Sequence, residues 1–458
     1  MSTVTLEERP EEKIIKIRLI LWATALFALL MPIASMQPLF FGLTITICYL
    51  AIVLFFYPKI GLLALLILRP ILDRFSTDKL FLIGGYGLNF ASILALVMLV
   101  FAFLLTIKKR KKIATMPLTA FWLLFLATTL VGVLMSFDNL ASLAEWLRLL
   151  SIFALFLSGF LLVDTQLELK RLVKVAVLSA LIPGFFALYQ YFTDTGLTVP
   201  LEGIYNRIYG TFAHPNLFAY YLVLVSVLAA YLLGASRKKF VADQIFFLPL
   251  VFFLALLVLT FTRGAWLALV LVMFIVGLIK FRKFLVVGLV AILFAYIFVT
   301  PINNRVNDLF SRNPYGSISW RIKLWTDSLA YVGDNRLLGY GTGLASELIL
   351  EKRGEAYGSS DPHNDYLKIA LENGLIGLFF YAALLIALVY RLLAAYLAGR
   401  GSEIKILALI LFGLTISFII MGFADNILRN TALMWAFWSL AGALFAVSMS
   451  THETTAAE

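Results

Sequence analysis

The chain has 458 residues, 62% of them hydrophobic and only 14% charged, with a mean hydropathy of +0.96. A water-soluble fold of this size cannot bury that much apolar surface, so the composition makes the bilayer its solvent. The formal charge of +11 lies largely in short loops between apolar runs, which is a membrane-anchoring pattern and no nucleic-acid signal.

The apolar runs have helix length, and strand-period alternation is absent. The fold class read from this is an all-α polytopic membrane protein, not a barrel. The start carries Glu7, Glu8, Arg9, Lys13, Lys16 and Arg18 ahead of a run without a cleavage site, so residues 1–16 are expected to be a cytoplasmic tail. Spans are predicted near 17–35, 38–57, 60–73, 87–107, 118–137, 140–163, 173–192, 215–234, 245–262, 264–280, 284–300, 374–393, 405–423 and 430–449. The run at 60–73 is the weakest, ending in Arg69, Pro70, Asp73 and Arg74, which leaves about 12–14 transmembrane helices. The expected organisation is a bundle over 17–300, a long loop over 301–362, C-terminal helices over 363–449 and a tail at 450–458. The single cysteine, Cys48, lies in an apolar run, which excludes a disulfide framework and a cysteine metal site.

Basic residues set the orientation. With both termini in the cytoplasm, residues 108–112 (KKRKK), Lys170–Arg171–Lys174, Arg237–Lys238–Lys239, Lys280–Arg282–Lys283 and Arg391–Arg400–Lys405 all fall inside. The connection near 193–214, the turn Thr262–Arg263–Gly264 and the long loop then fall outside. That loop exceeds an ordinary connection, so it is expected to be folded, with short helices over 319–332 and 343–353.

Three places bring chemistry to that outer side. His363 and Asn364 sit where the long loop meets a span, with Asp361 a candidate N-cap and Pro362 a candidate first helical residue. A first-turn imidazole is kept neutral by the helix dipole and can accept a proton; an interfacial anchor is the other reading. Asn364 offers an amide that can orient a hydroxyl, and Gly374 and Gly377 permit close packing or a bend. Arg263 lies between two apolar runs with no acidic residue nearby in sequence. It suits a ligand anion, or snorkels to headgroups. In Arg207-Ile-Tyr-Gly-Thr-Phe-Ala-His-Pro-Asn216, both Arg207 and His214 open the next span, and His214 reads first as a capping or packing residue. In the long loop, Arg305, Arg312, Arg321, Lys323 and Lys352 interleave with Trp320, Trp325 and Tyr331, a mix that suits sugar stacking, phosphate contact or membrane docking. Glu145 and Arg148 are spaced to pair, as are Asp425 and Arg429, and the GYGTG at 339–343 reads as a turn. No metal cage and no nucleotide loop appear in the sequence, so no cofactor is expected.

The segment HNDYLKIALENGLIG is similar to the His–Asn/Ser/Gln, nine residues, Gly-x-x-Gly/Thr/Tyr pattern of the O-antigen ligase family, with His363, Asn364, Gly374 and Gly377 in the fixed places. FTRGAW resembles that family's Ser/Thr-Arg-Gly turn, and RIYGTFAHPN its Arg-x-x-Gly-Thr-Phe segment. The resemblance covers roughly residues 115–445. It implies a C-type glycosyltransferase-like fold in a bacterial inner membrane. The implied activity is metal-independent, inverting transfer of a glycan from undecaprenyl diphosphate to an acceptor hydroxyl, on lipid A–core in a ligase. It implies that Arg207 and Arg263 bind the donor diphosphate and that His363 acts on the acceptor hydroxyl. Beside these, Asn364, Arg321 and His214 are read as candidate acceptor or loop contacts. The expected partners are the lipid-linked glycan, an acceptor glycolipid or glycan, and the bilayer.

Two other functions fit parts of the sequence. A polymerase joining lipid-linked repeat units would use the same residues. A lipid-linked glycan transporter would place its charges near the midplane rather than at one face. The short tail after residue 449 is read against the protein-glycosylating branch of the family.

Overall fold

The computed structural model describes residues 38–76, 78, 81–83, 86–199, 204–235, 245–307, 317–354, 360–399 and 401–456. The expected tail at 1–16, the span at 17–35, the cluster Arg237–Lys238–Lys239 and Arg312 lie outside the described residues.

The elements are nearly all helices. They run α1 (Pro38–Phe56), α2 (Pro58–Leu72), a hairpin of β1 (Phe81–Ile83) and β2 (Tyr86–Leu88), α3 (Phe90–Lys108), α4 (Arg110–Ile113), α5 (Thr119–Leu134) and α6 (Asn139–Leu162). Then come α7 (Gln166–Leu178), α8 (Leu181–Phe192), a hairpin of β3 (Leu197–Val199) and β4 (Ile204–Arg207), α9 (Pro215–Ala235), α10 (Phe247–Leu259) and α11 (Arg263–Ile279). The last are α12 (Arg282–Phe298), α13 (Thr300–Asn307), α14 (Ser317–Asp334), α15 (Ala345–Arg353), α16 (Asp365–Ala398), α17 (Ser402–Met421) and α18 (Thr431–Ala456). Among the described residues, seven helices have the length and apolarity to cross a membrane, and five more apolar helices are 10–17 residues long. The protein is thus an all-α polytopic membrane protein. The expected 12–14 spans resolve into this mixture of long and short helices. The run predicted at 173–192 is a pair, α7 and α8, within the continuous stretch Gln166–Phe192.

The chain forms two compact units, Met1–Leu65 and Leu66–Glu458. In the first, α1 turns tightly into α2 because Gly61 lies against Leu54, where a Cβ would come within 2.6 Å of the Leu54 Cα. The functional residues all belong to the second unit. The weak run at 60–73 is a helix whose end is held by Arg69 Nη1 and Asp73 Oδ1, 2.8 Å apart and both buried.

Two packing features position the site. The first joins α6 to α18, where Gly159 and Gly442 let the two backbones touch. Trp435 Nε1 donates to Ser151 Oγ at 2.9 Å across this contact, and Trp122 meets Trp438 edge-on at 4.8 Å. The second is the long loop, which folds as expected. Leu324 and Val332 of α14, Ala345, Leu348 and Ile349 of α15, and Leu367, Ala370 and Leu371 of α16 form one apolar core.

That core uses only the first part of α16, because the helix breaks at Gly374 (φ 63°, ψ −170°). Positive φ is open to glycine at little cost. The loop satisfies the groups exposed by the break: Tyr340 N–H donates to Leu371 O (2.8 Å), Gly341 N–H to Glu372 O (3.0 Å), and Leu375 N–H to Arg336 O (2.7 Å). The predicted bend is therefore a clean interruption. GYGTG is indeed a turn, with Gly339, Gly341 and Gly343 all at positive φ.

Candidate active site

Four connections converge on one place: the start of α9, the turn before α11, the loop before α16, and the loop between α17 and α18. Each supplies polar side chains to a single hydrogen-bonded path.

Arg207 closes β4 and is buried. Its Nε donates to Thr260 O at 2.9 Å, and its Nη2 donates to Thr262 Oγ1 at 3.0 Å and to Asn216 Oδ1 at 2.9 Å. Asn216 Nδ2 then donates to Asp425 Oδ2 at 2.7 Å. The other carboxylate oxygen, Oδ1, faces His363 Nδ1 at 3.3 Å. A continuous path thus runs Arg207–Asn216–Asp425–His363. A carboxylate on Nδ1 favours the tautomer with its proton there, leaving the Nε2 lone pair to accept another. Trp320 stands edge-on to the imidazole at 5.7 Å, and the Arg321 guanidinium lies over the Trp320 ring at 5.4 Å.

Electrostatics fit this wiring. Burial opposes ionisation of Asp425. The hydrogen bond and charge of His363, then Arg321 and the Asn426 N–H, outweigh it and hold the carboxyl below its ordinary range. For His214, burial and then Arg207 depress the imidazole to about 4. A neutral His214 is what its geometry requires, since its Nδ1 accepts the Asn216 N–H at 3.1 Å. It braces the residue at the centre of the path.

The helix start at His363 differs from the expectation. Asp361 and Pro362 do not begin α16. Asn364 is its N-cap, with Oδ1 accepting from the Tyr366 and Leu367 amides at 3.0 Å each. His363 precedes the cap in a left-handed conformation, φ 47°. Asp361 instead accepts the His363 N–H at 3.1 Å and pairs with Arg429 and Asn426. These contacts position the imidazole from outside the helix. They also give the Asn364 side-chain oxygen a capping job that the sequence reading did not foresee.

Arg263 is the first residue of α11. Its Nη1 donates to Arg305 O at 3.4 Å, and Arg305 Nε donates to Phe261 O at 3.4 Å. The same short turn, residues 260–263, therefore carries Arg207 on Thr260 and Thr262, Arg305 on Phe261, and Arg263 itself. Arg263 adjoins the His363 path through its neighbour Thr262, which accepts from Arg207. The turn is tight, with Phe261 at φ 52°.

Two members were missed in the sequence. Asp425 reads there as a partner for Arg429, but Arg429 pairs with Asp361. Asn216 stands inside the quoted Arg207–Asn216 segment without a role. A usable signal was present: a carboxylate and a carboxamide each within a few residues of an apolar span, where unpaired polar groups are costly.

Residues 248–382 match the family model described as O-antigen ligase. Over that stretch, 135 of the 458 residues, the chain is similar to the O-antigen ligase family. The match covers the Arg263 turn, the long loop and His363, while Arg207, Asn216 and Asp425 lie outside it. No curated protein gives a significant match. The similarity, together with the membrane-spanning helices, supports a membrane enzyme of glycosyltransferase type.

Proposed function

We propose that this protein is a member of the O-antigen ligase family that transfers a glycan from a polyprenyl diphosphate, undecaprenyl diphosphate in bacteria, to an acceptor hydroxyl. The acceptor is the lipid A–core oligosaccharide if it is a ligase, and the transfer is inverting and metal-independent. The site faces the extracytoplasmic side of the inner membrane, with both termini in the cytoplasm, as the five basic loops indicate. The observation that carries this reading is the unbroken path from the Arg207 guanidinium to the His363 imidazole.

The chemistry follows from that path. His363 Nε2 accepts the proton of the acceptor hydroxyl as its oxygen attacks the anomeric carbon. The bond from that carbon to the diphosphate oxygen breaks, and the electron pair leaves with the diphosphate. Asp425 stabilises the imidazolium that forms. Arg207 and Arg263, fixed at the ends of the 260–263 turn, stabilise the charge growing on the leaving group. The lipid tail confines the donor to the plane of the site, which supplies much of the positioning.

The test is turnover by purified protein with a lipid-linked glycan donor. His363→Ala is expected to abolish transfer while insertion and abundance stay normal; wild-type turnover in that variant refutes the role. Arg263→Ala is expected to weaken donor binding more than Arg263→Lys. A single capped acceptor identifies a ligase, and a ladder of lengthening carrier-linked glycan identifies a polymerase.

A further inference from the structure

Tyr220 lies one helical turn beyond Asn216 on the same face of α9. It is 2% exposed, and its hydroxyl has no hydrogen-bond partner among the described residues. A buried phenol in that condition is uncommon and points to a partner that arrives from elsewhere. The hydroxyl sits where a side chain on Gly264 would begin: a Cβ there would meet the oxygen at 2.5 Å, Tyr220 Cζ at 3.6 Å and Met421 Sδ at 3.9 Å.

Gly264 follows Arg263 in the first turn of the 17-residue α11, whose N-terminal end favours negative charge. Gly264 is itself partly exposed, so the hydroxyl lies against a residue that reaches the surface. Asp425, Arg321 and Asp365 lie within electrostatic reach. Both Asp425 oxygens already have partners in His363, Asn426 and Asn216. The hydroxyl, at the N-terminal end of α11 with the Arg321 guanidinium within electrostatic reach, lacks an acceptor.

We propose that Tyr220 is an anion-binding residue whose hydroxyl donates to a phosphate oxygen of the diphosphate, seated at the first turn of α11 beside Arg263. This rests on the diphosphate-donor reading given above. It also assigns a reason to the glycine of the Thr-Arg-Gly turn: any side chain there would displace the hydroxyl from the ligand.

The experiment uses the full chain in detergent, with inorganic pyrophosphate and sugar-free undecaprenyl diphosphate as probes. For Tyr220→Phe, both probes are expected to bind roughly tenfold weaker or worse, the loss of one hydrogen bond to a charged group. Without probe, the variant's Tm is expected to equal or exceed that of wild type, because the change deletes a buried hydroxyl that has no protein partner. Equal probe affinity overturns the proposal and leaves the arginine assignments standing. A lowered Tm without probe gives the hydroxyl a structural partner and also overturns it. If wild type binds neither probe, the diphosphate reading falls and takes the Tyr220 assignment with it.

Discussion

Asp425 holds the His363 imidazole by one oxygen and Asn216 by the other, so its two bonds serve different ends. Asp425→Asn keeps the size and removes the charge that stabilises an imidazolium. A turnover loss of about 10²–10⁴-fold is expected, the scale of general-base catalysis, with donor binding little changed. Wild-type turnover would reduce Asp425 to a packing residue. His214 gives a separate signature in pH. Unfolded, it takes a proton near 6.5; folded, burial and then Arg207 depress it to about 4. Between those values the unfolded chain binds more protons, so the fold loses stability as pH falls from 6.5 towards about 4. The thermal midpoint in detergent should decline across that window in wild type and decline less in His214→Gln; identical slopes would remove His214 as the cause. His363 and both arginines were legible in the sequence because rare ionisable groups beside apolar runs stand out. Asp425 was not, because its partner lies 62 residues away and a nearer arginine offered an apparent match.

At the scale of elements, the contact between α9 and α11 turns on one oxygen atom. Gly264→Ala would press a methyl onto the Tyr220 hydroxyl at 2.5 Å, whereas the ring carbon behind it stands at an ordinary 3.6 Å. Gly264→Ala alone is therefore expected to lower the thermal midpoint, and the Tyr220→Phe background should restore most of that loss. Additive effects in this double-mutant cycle would show that the two residues do not press on each other. Helix positions were readable from hydropathy to within a few residues for most runs. The cap of α16 was not. Asp361 and Asn364 are both good cap residues by type, and only the contacts of Asp361 with Arg429 and Asn426 decide between them. The break at Gly374 was visible as a glycine, but its partners at Tyr340 and Gly341 were not, since they come from a distant loop.

Across the molecule, a second set of charges ties the bundle to the loop region. Glu145 on α6 accepts from Arg148 Nε at 2.7 Å and faces Lys368 Nζ at 3.5 Å, and Lys368 also faces Glu372 at 3.7 Å. Arg148 reaches on to Leu428 O at 2.8 Å, in the loop that carries Asp425. The pair Glu145 and Arg148 was foreseen from spacing alone; its extension to α16 depends on the fold. Lys368→Met would leave the buried Glu372 and the part-buried Glu145 without their shared cation. A loss of about 3–5 kcal/mol is expected on general grounds for breaking a buried pair. A thermal midpoint within a degree or so of wild type would show that the network carries little of the structure.

The interruption at Gly374 divides α16 between two bodies. Its first nine residues share an apolar core with α14 and α15, and its remainder joins the bundle. The helices α14 and α15 and the first part of α16 therefore share an interior of their own, and the histidine just before α16 is tied to the rest through Asp425. Under the proposed mechanism, exchanging that segment between relatives, with the Gly422 carbonyl that receives the Asp365 amide kept in place, is expected to change acceptor preference while the 260–263 turn stays unaltered.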